Sequence, residues 1–337
     1  MTAGGAPTGV GTGIGSLPGD DIDAALALVA EALPGLPHLP ELPGRGAGSD
    51  MVGRTASRLV DLHVDLQPSG WRLVARPGHD EARAQDRLER DLDALVPALP
   101  GYDGDFKVQL AGPWTLAATL ELPRGGKAVA DPGACRDLAE SLADSAAAHL
   151  ADVRRRLPAA RLVLQLDEPA LPAVLAGSVP TESGYGRVAA VDASVARERL
   201  AAVVAAVDVP VVVHCCASAP PLSLLASTGA AGVSVDLASG RDLDEIGALV
   251  ERQVALWLGV VPSLGPGVPP TVRQILEPVR EMWRRLTFDA SRLPSAVVLT
   301  PSCGLAGASE GWARTALRLV TQSAAALAEA AAEDVLT

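Results

Sequence analysis

The segment Val211-Val212-Val213-His214-Cys215-Cys216 carries three β-branched residues followed by an imidazole and two thiols. Such an uninterrupted run is typical of a strand that is covered on both faces, as in parallel sheets. Because alternate side chains on a strand share a face, we expect His214 and Cys216 to point the same way and Cys215 to point the opposite way. The segment therefore predicts a buried parallel strand that ends in two potential metal ligands.

Similar apolar segments recur along the chain, and helical patterns occupy most of the intervals between them. The predicted strands are residues 11–16, 36–42, 106–110, 162–167, 209–216, 232–236, 254–261 and 296–303. The predicted helices are residues 22–33, 80–95, 132–157, 195–207, 222–227, 242–251, 271–286 and 311–332. Strand and helix alternating eight times predicts an α/β fold, a (β/α)8 TIM barrel. We expect one catalytic domain over residues 1–337, with short flexible segments at both termini.

Two parts of this assignment are weaker. Pro37, Pro40 and Pro43 limit hydrogen bonding in the second strand, and residues 49–78 are interpreted as a helix followed by a small hairpin around 71–74. The alternative fold is an open doubly wound sheet. We disfavour it because the glycine-rich residues 11–16 precede a proline and do not open a helix as a dinucleotide-binding turn does.

The composition narrows the classes of function. The chain has 337 residues, is 48% hydrophobic and carries a net charge of −12, which makes a nucleic-acid surface an unexpected partner. No stretch has the form of a signal peptide or reaches membrane-spanning length, so we expect a cytoplasmic protein without a membrane partner. In a reducing compartment, metal binding or burial is the expected state of its four cysteines.

Potential metal ligands stand at the ends of three predicted strands. His214 and Cys216 end the fifth strand, Asp236 ends the sixth and Cys303 ends the eighth. In a barrel these ends share one rim, and nitrogen, sulfur and oxygen donors in this number predict a Zn²⁺ site. Two thiolates and a carboxylate make such a site net negative, which suits the binding of a substrate thiol as a thiolate.

Two further motifs lie at predicted strand ends. Asp167 and Glu168 follow the fourth strand and could bind an ammonium group or act as acid and base; the alternative is a helix-start signal. The backbone of Ile14-Gly15-Ser16 could hold a carboxylate, although an ordinary strand-to-loop turn also has this pattern.

Several of these motifs occur in the order found in a known family. They are Ile14-Gly15-Ser16-Leu17-Pro18, Gly112-Pro113-Trp114-Thr115, Gln165-Leu166-Asp167-Glu168-Pro169-Ala170, His214-Cys215-Cys216 and Pro301-Ser302-Cys303-Gly304-Leu305. Together they resemble the catalytic C-terminal barrel of cobalamin-independent methionine synthase, over most of the chain.

The resemblance implies a methyltransferase in which zinc activates the thiol of homocysteine for methionine biosynthesis. On this resemblance His214, Cys216 and Cys303 are zinc ligands, and Asp236 stands where the family usually has a glutamate ligand. Asp167 matches the carboxylate that holds the amino group of homocysteine, and Ser16, with Ile14 and Gly15, matches the segment at its carboxylate. Glu41 is the candidate for a second substrate-binding carboxylate.

The expected methyl donor follows from two departures from the family pattern. The positions of a folate-stacking aromatic and a mechanistic histidine fall near Thr119 and Leu264. We therefore expect methylcobalamin, free or protein-bound, to be a better donor than methyl-folate, with Trp114 as a partial substitute for the missing aromatic platform.

Other functions remain open at the level of sequence. They are transfer of another alkyl group to a thiol, a metal-free activity like that of uroporphyrinogen decarboxylase, and a non-catalytic zinc- or thiol-binding protein.

Overall fold

The computed structural model describes residues 5–239 and 242–332; the outermost residues of the expected flexible termini lie outside this range. Its centre is a curled, six-stranded parallel sheet in which each strand pairs with the next one along the chain. The strands are β3 (Asp105–Ala111), β4 (Arg161–Asp167), β5 (Val211–Cys215), β6 (Gly232–Asp236), β7 (Ala255–Val261) and β8 (Val297–Pro301). All six were predicted, with small differences at their ends.

A separate antiparallel hairpin, β1 (His63–Gln67) and β2 (Gly70–Val74), precedes the sheet. The helices of the described residues are α1 (Ile22–Ala32), α2 (Met51–Ala56), α3 (His79–Asp93), α4 (Leu95–Ala98), α5 (Pro113–Thr119), α6 (Pro132–Arg156), α7 (Leu171–Leu175), α8 (Ala193–Ala205), α9 (Leu222–Ala226), α10 (Leu243–Glu251), α11 (Val272–Leu286), α12 (Leu293–Ala296) and α13 (Glu310–Ala332). The helix and hairpin expected within residues 49–78 are confirmed by α2 and by β1 with β2. No helix in the described part of the chain has the length and apolarity needed to cross a membrane.

The first two predicted strands are only partly formed. Residues 11–16 and 36–42 make isolated parallel bridges in place of continuous ladders, at Gly11 with Leu299, at Ser16 with Glu41 and at His38 with Lys107. The prolines of residues 37–43 explain the interruption of the second segment, because proline has no N–H to donate to a ladder.

These two segments nevertheless make backbone hydrogen bonds to the sheet and to each other. Thr12 N–H donates to the carbonyl of Leu299 at 3.0 Å, and Leu17 N–H donates to the carbonyl of Glu41 at 2.9 Å. Leu39 N–H donates to the carbonyl of Lys107 on β3 at 3.0 Å. Residues 9–12 therefore lie along β8, residues 37–39 lie along β3, and residues 15–17 lie beside Glu41.

The two faces of the curled sheet differ in composition. Outward side chains such as Leu164, Val213 and Leu258 belong to the large apolar core shared with the helices. The inward face begins with a small apolar cluster of Leu36, Val163, Val212, Ala255, Trp257 and Val298. Towards the carboxyl ends of the strands, the inward positions become polar and remain buried, as at Lys107, Gln165 and His214. The polar end of the sheet is therefore where substrate chemistry can take place.

Candidate active site

Three of the four predicted metal ligands converge at the carboxyl ends of β5 and β8. His214 lies within β5, Cys216 directly follows it, and Cys303 follows β8 by two residues. One potential ligand atom from each residue lies within 4.8 Å of the other two, and the two sulfur atoms are 3.2 Å apart. One imidazole and two thiols at this spacing form a group that could hold a metal ion.

The hydrogen bonds of His214 leave one ring nitrogen for a ligand. Its Nδ1 lies 2.9 Å from Oγ of Ser234, the residue that pairs with it on β6. Its Nε2 is buried and has no hydrogen-bond partner among the described residues. A metal-ligating histidine usually has its other nitrogen held in this way, so the geometry fits a metal bound through Nε2.

The two thiols of the group differ in their acidity. The neighbouring Cys216 thiol, and then the His214 imidazole, lower the pKa of Cys303 to about 4, and burial opposes this effect. The same thiol pair and burial raise the pKa of Cys216. A thiolate is the form that binds metal, so the lowered pKa of Cys303 favours its metal-binding form.

Cys215 lies on the opposite face, as predicted from strand alternation. It is fully buried in the apolar core beneath the helices, and burial raises its pKa to about 12. A thiol in this environment is inert, which makes Cys215 a natural control for the other two.

Asp236 lies at the end of β6, as predicted, but it is outside the three-residue group. Its carboxylate accepts hydrogen bonds from Ala238 N–H at 3.0 Å and from Ser239 Oγ at 3.3 Å. The neighbouring position on β7 is Gly259, where a Cβ atom would lie 2.7 Å from Cα of Ser302 and 3.2 Å from Cα of Asp236. Ligation of a metal by Asp236 stays a prediction.

A cavity of about 550 Å³ lies beside this part of the rim. Asp236 and Ser302 line it on the side of the sheet, and Ile275 and Met282 line it on the side of α11. Ser302 precedes Cys303 directly, but His214, Cys216 and Cys303 do not line this cavity, and α11 also contributes the charged side chains of Glu281 and Arg285 to it.

Asp167 lies near the metal-binding group and keeps a buried carboxylate. It pairs in register with His214 on the adjacent strand, and only 4% of its surface is exposed. Burial raises the pKa of Asp167 to about 6, while His214 and Lys107 lower it. Its Oδ1 accepts a 2.7 Å hydrogen bond from Nε2 of Gln165. A partly desolvated carboxylate of this kind is suited to binding a substrate ammonium group.

Glu168 points to different hydrogen-bond partners from those of Asp167. Its carboxylate accepts hydrogen bonds from the N–H groups of Trp114 and Thr115 and from the hydroxyl of Thr115, at 2.8–2.9 Å. These donors form the first turn of α5, so Glu168 caps a helix that precedes it by more than 50 residues. The sequence suggested that this pair could share one role, but the structure separates Asp167 from the helix-capping Glu168.

The predicted substrate-binding loop lies between Glu41 and the segment after β8. Ser16 forms an isolated parallel β-bridge with Glu41. The carbonyl of Ser16 accepts a hydrogen bond from Leu305 N–H at 2.8 Å. A Cβ atom on Gly304 would lie 2.1 Å from Oγ of Ser16, so the absence of a side chain at Gly304 is what permits this contact. The loop is thus packed against the residue that follows Cys303.

Glu41 is a second buried carboxylate at this end of the sheet. Burial raises the pKa of Glu41 to about 7, Arg54 lowers it and Asp167 raises it. The nearest guanidinium nitrogen of Arg54 is 3.9 Å away. The Asp167 carboxylate is therefore close enough to raise the pKa of Glu41.

Lys107 was not singled out from the sequence, and Gln165 was quoted there only as part of a motif, without a role. Lys107 donates to the carbonyl of Ile14 and to Oε1 of Gln165, and Gln165 donates to Ile14 and Asp167. Strand alternation could have predicted that both side chains point inward, since Lys107 lies on β3 and Gln165 on β4 at inward positions.

The sequence matches a known protein family over most of its length. Residues 10–326 match the model described as "Cobalamin-independent synthase, Catalytic domain". The chain belongs to this family. It is therefore a methyltransferase of the methionine synthase type, a family that acts on homocysteine.

One solved structure supports the same fold. A B12-independent methionine synthase from Shewanella sp. W3-18-1, in complex with selenomethionine, is 12% identical, with a TM-score of 0.65 and coverage of 96% of this chain and 98% of that one. A mandelate oxidase variant with benzaldehyde is 16% identical, with a TM-score of 0.27 and 86% coverage of both chains, and adds no argument. The search of curated proteins found no match.

Two expectations about the methyl donor need correction. A cobalamin-independent family does not support methylcobalamin as the donor. Trp114 is also no aromatic platform, because it is only 1% exposed and its indole N–H donates to the carbonyl of Ala196 on α8. The two substituted positions therefore do not indicate cobalamin.

Proposed function

We propose that this chain binds zinc through His214, Cys216 and Cys303 and transfers a methyl group to the thiol of homocysteine, forming methionine. The observation that supports it most directly is the buried, unpartnered Nε2 of His214 beside two thiols. Nitrogen and thiolate donors are preferred by Zn²⁺. When bound, zinc lowers the pKa of a coordinated thiol and so keeps it as a nucleophilic thiolate at neutral pH.

Asp236 is proposed as the remaining protein ligand, on the basis of its place at the carboxyl end of β6. In that role its carboxylate would exchange its hydrogen bonds with Ala238 and Ser239 for the metal. A structural zinc site is usually closed by four protein ligands, whereas a catalytic one accepts its substrate as a ligand. A site held by these residues would accept the thiol of homocysteine as a further ligand.

The amino-acid part of homocysteine is assigned to the buried residues around the metal-binding group. Asp167 and Glu41 would accept hydrogen bonds from the ammonium group, because both are buried carboxylates and Asp167 is close enough to raise the pKa of Glu41. Ser16, with the backbone of Ile14 and Gly15, would hold the carboxylate. This arrangement fixes both ends of the substrate and leaves its sulfur to point at the metal.

The methyl donor is proposed to be a methyl-folate. Membership of a cobalamin-independent family supports it. The reaction breaks the bond between the methyl carbon and its donor nitrogen and forms a carbon–sulfur bond. The donor nitrogen leaves with the electron pair and must gain a proton.

The fold of this enzyme is proposed to be a complete (β/α)8 barrel, as the sequence predicts. Its support is the set of backbone hydrogen bonds that link residues 9–12 to β8, residues 37–39 to β3, and residues 15–17 to Glu41. Its first two strands would be short, bridged segments beside six regular ones. We expect a cytoplasmic enzyme, also on the sequence alone.

The experiment that tests the proposed function combines metal analysis with product formation. Protein purified without chelator should contain about one zinc per chain and form methionine from homocysteine and methyl-folate. Removal of the metal should abolish methionine formation, and added zinc should restore it. Full activity in folded, metal-free protein would contradict the proposal.

A further inference from the structure

Lys107 is a buried ammonium group inside the curled sheet. It lies on β3, has no exposed surface, and donates hydrogen bonds to the carbonyl of Ile14 at 2.7 Å and to Oε1 of Gln165 at 2.8 Å. The family resemblance assigns it no role. It is also one of only two lysines in a chain that has 26 arginines, so general use of lysine does not explain its presence.

Gln165 extends this contact to the proposed substrate site. Its Nε2 donates to the same carbonyl of Ile14 at 2.9 Å and to Oδ1 of Asp167 at 2.7 Å. Lys107 therefore connects, directly or through one side chain, the loop that begins at Ile14 and the carboxylate of Asp167. These are the two groups assigned to the carboxylate and the ammonium of homocysteine.

A packing role alone does not explain an ammonium group at this position. The next inward layer of the sheet is filled by apolar side chains such as Val163 and Val298, and burying a charge without a partner is strongly unfavourable. Burial lowers the pKa of Lys107 to about 7, while Asp167 and then Glu41 raise it. The two carboxylates are thus the groups that favour the protonated form of Lys107 against the effect of burial.

We propose that Lys107 is a positioning residue, which holds the Ile14 carbonyl and, through Gln165, the Asp167 carboxylate in the geometry that binds the amino-acid part of homocysteine. Lys107 does not contact the substrate or the metal in this role. The inference rests on the proposed function, because it concerns the same substrate site. It predicts a defect that depends on the amino-acid groups of the thiol substrate and is independent of its sulfur.

The test compares two thiols on zinc-loaded protein by isothermal titration calorimetry. Homocysteine has the amino-acid groups, whereas 1-propanethiol has the same short carbon chain with neither charge. Lys107→Met should raise the Kd of homocysteine by about ten- to a hundredfold, the range expected when hydrogen bonds to charged groups are lost. The Kd of 1-propanethiol and the zinc content should stay within about twofold of wild type.

Steady-state kinetics provides a second readout. The KM for homocysteine should rise in Lys107→Met while kcat at saturating homocysteine changes little, because only the positioning of the substrate is impaired. Lys127→Met is the matched control: Lys127 lies 3.6 Å from Glu121, away from this site, and its replacement should leave both Kd values unchanged. If Lys107→Met does not fold, Gln165→Met interrupts the same connection and should give the same pattern.

Three results would overturn the inference. Homocysteine binding at wild-type strength in Lys107→Met would show that the connection is not needed. Equal weakening of both thiols would indicate a general structural role for Lys107. Failure of the zinc-loaded wild type to bind homocysteine would reject the proposed function itself, and with it the role of Lys107.

Discussion

Replacing Asp167 by asparagine removes one negative charge from the proposed ammonium site and keeps the size of the side chain. The side chain is 4% exposed and accepts its hydrogen bond from an uncharged donor, Gln165. The amide oxygen of asparagine can accept the same bond, so the fold should be preserved. Because the pKa of Asp167 is about 6, measurements near pH 8 compare an ionised wild type with a neutral variant.

The expected effect on homocysteine binding follows from the loss of one partner of a buried charged pair. Such losses cost about 2–5 kcal/mol, and about 1.4 kcal/mol corresponds to a tenfold change in Kd. The Kd should therefore rise between about 30-fold and 4,000-fold. We expect the lower end of this range, since Glu41 remains as a second carboxylate.

Calorimetry with zinc-loaded protein provides the assay, and Glu168→Gln provides the matched control. Glu168 is the adjacent carboxylate in the sequence but caps α5, so its replacement should lower the melting temperature and leave the Kd unchanged. Zinc content should be the same in all three proteins. Homocysteine binding by Asp167→Asn within about twofold of wild type would refute the assignment of Asp167 to the ammonium group.

Three other outcomes are expected from single substitutions. Cys303→Ser should lose most of the zinc and Cys215→Ser should keep it, since only Cys303 belongs to the metal-binding group; equal zinc in both would contradict the ligand assignment. Glu168→Ala should destabilise the protein by about 2–4 kcal/mol, because it leaves buried donors of α5 without an acceptor; urea unfolding measures this. Burial raises the pKa of Glu41 from 4.5 to about 7. The contribution of Glu41 to the free energy of unfolding is therefore fully present below pH 4.5 and is lost as the pH rises through 7. Glu41→Gln should therefore be more stable than substrate-free wild type at pH 8, by on the order of 3 kcal/mol, with little difference near pH 4.5; equal unfolding curves at pH 8 would argue against a desolvated Glu41.

Much of the fold can be predicted from local patterns in the sequence. The six regular strands have continuous apolar runs because both of their faces are covered, and this pattern is visible in the sequence alone. Strand alternation also placed His214 and Cys216 on one face and Cys215 on the other. The ends of the first two strands could not be settled in this way, because prolines and glycines reduce them to single bridges whose partners are Leu299 and Lys107, distant in the sequence.

The sequence by itself indicated the family and the parallel sheet, and it predicted four metal ligands, of which His214, Cys216 and Cys303 come together in a group that could hold a metal ion. Only the tertiary structure decided that Glu168 caps a distant helix, that Trp114 is buried under α8, and that Lys107 is joined to Asp167 through Gln165. The physical reason is that strand periodicity fixes the face on which a side chain lies. The partner that a buried polar group finds on that face depends on segments brought together by folding, and no local pattern encodes it.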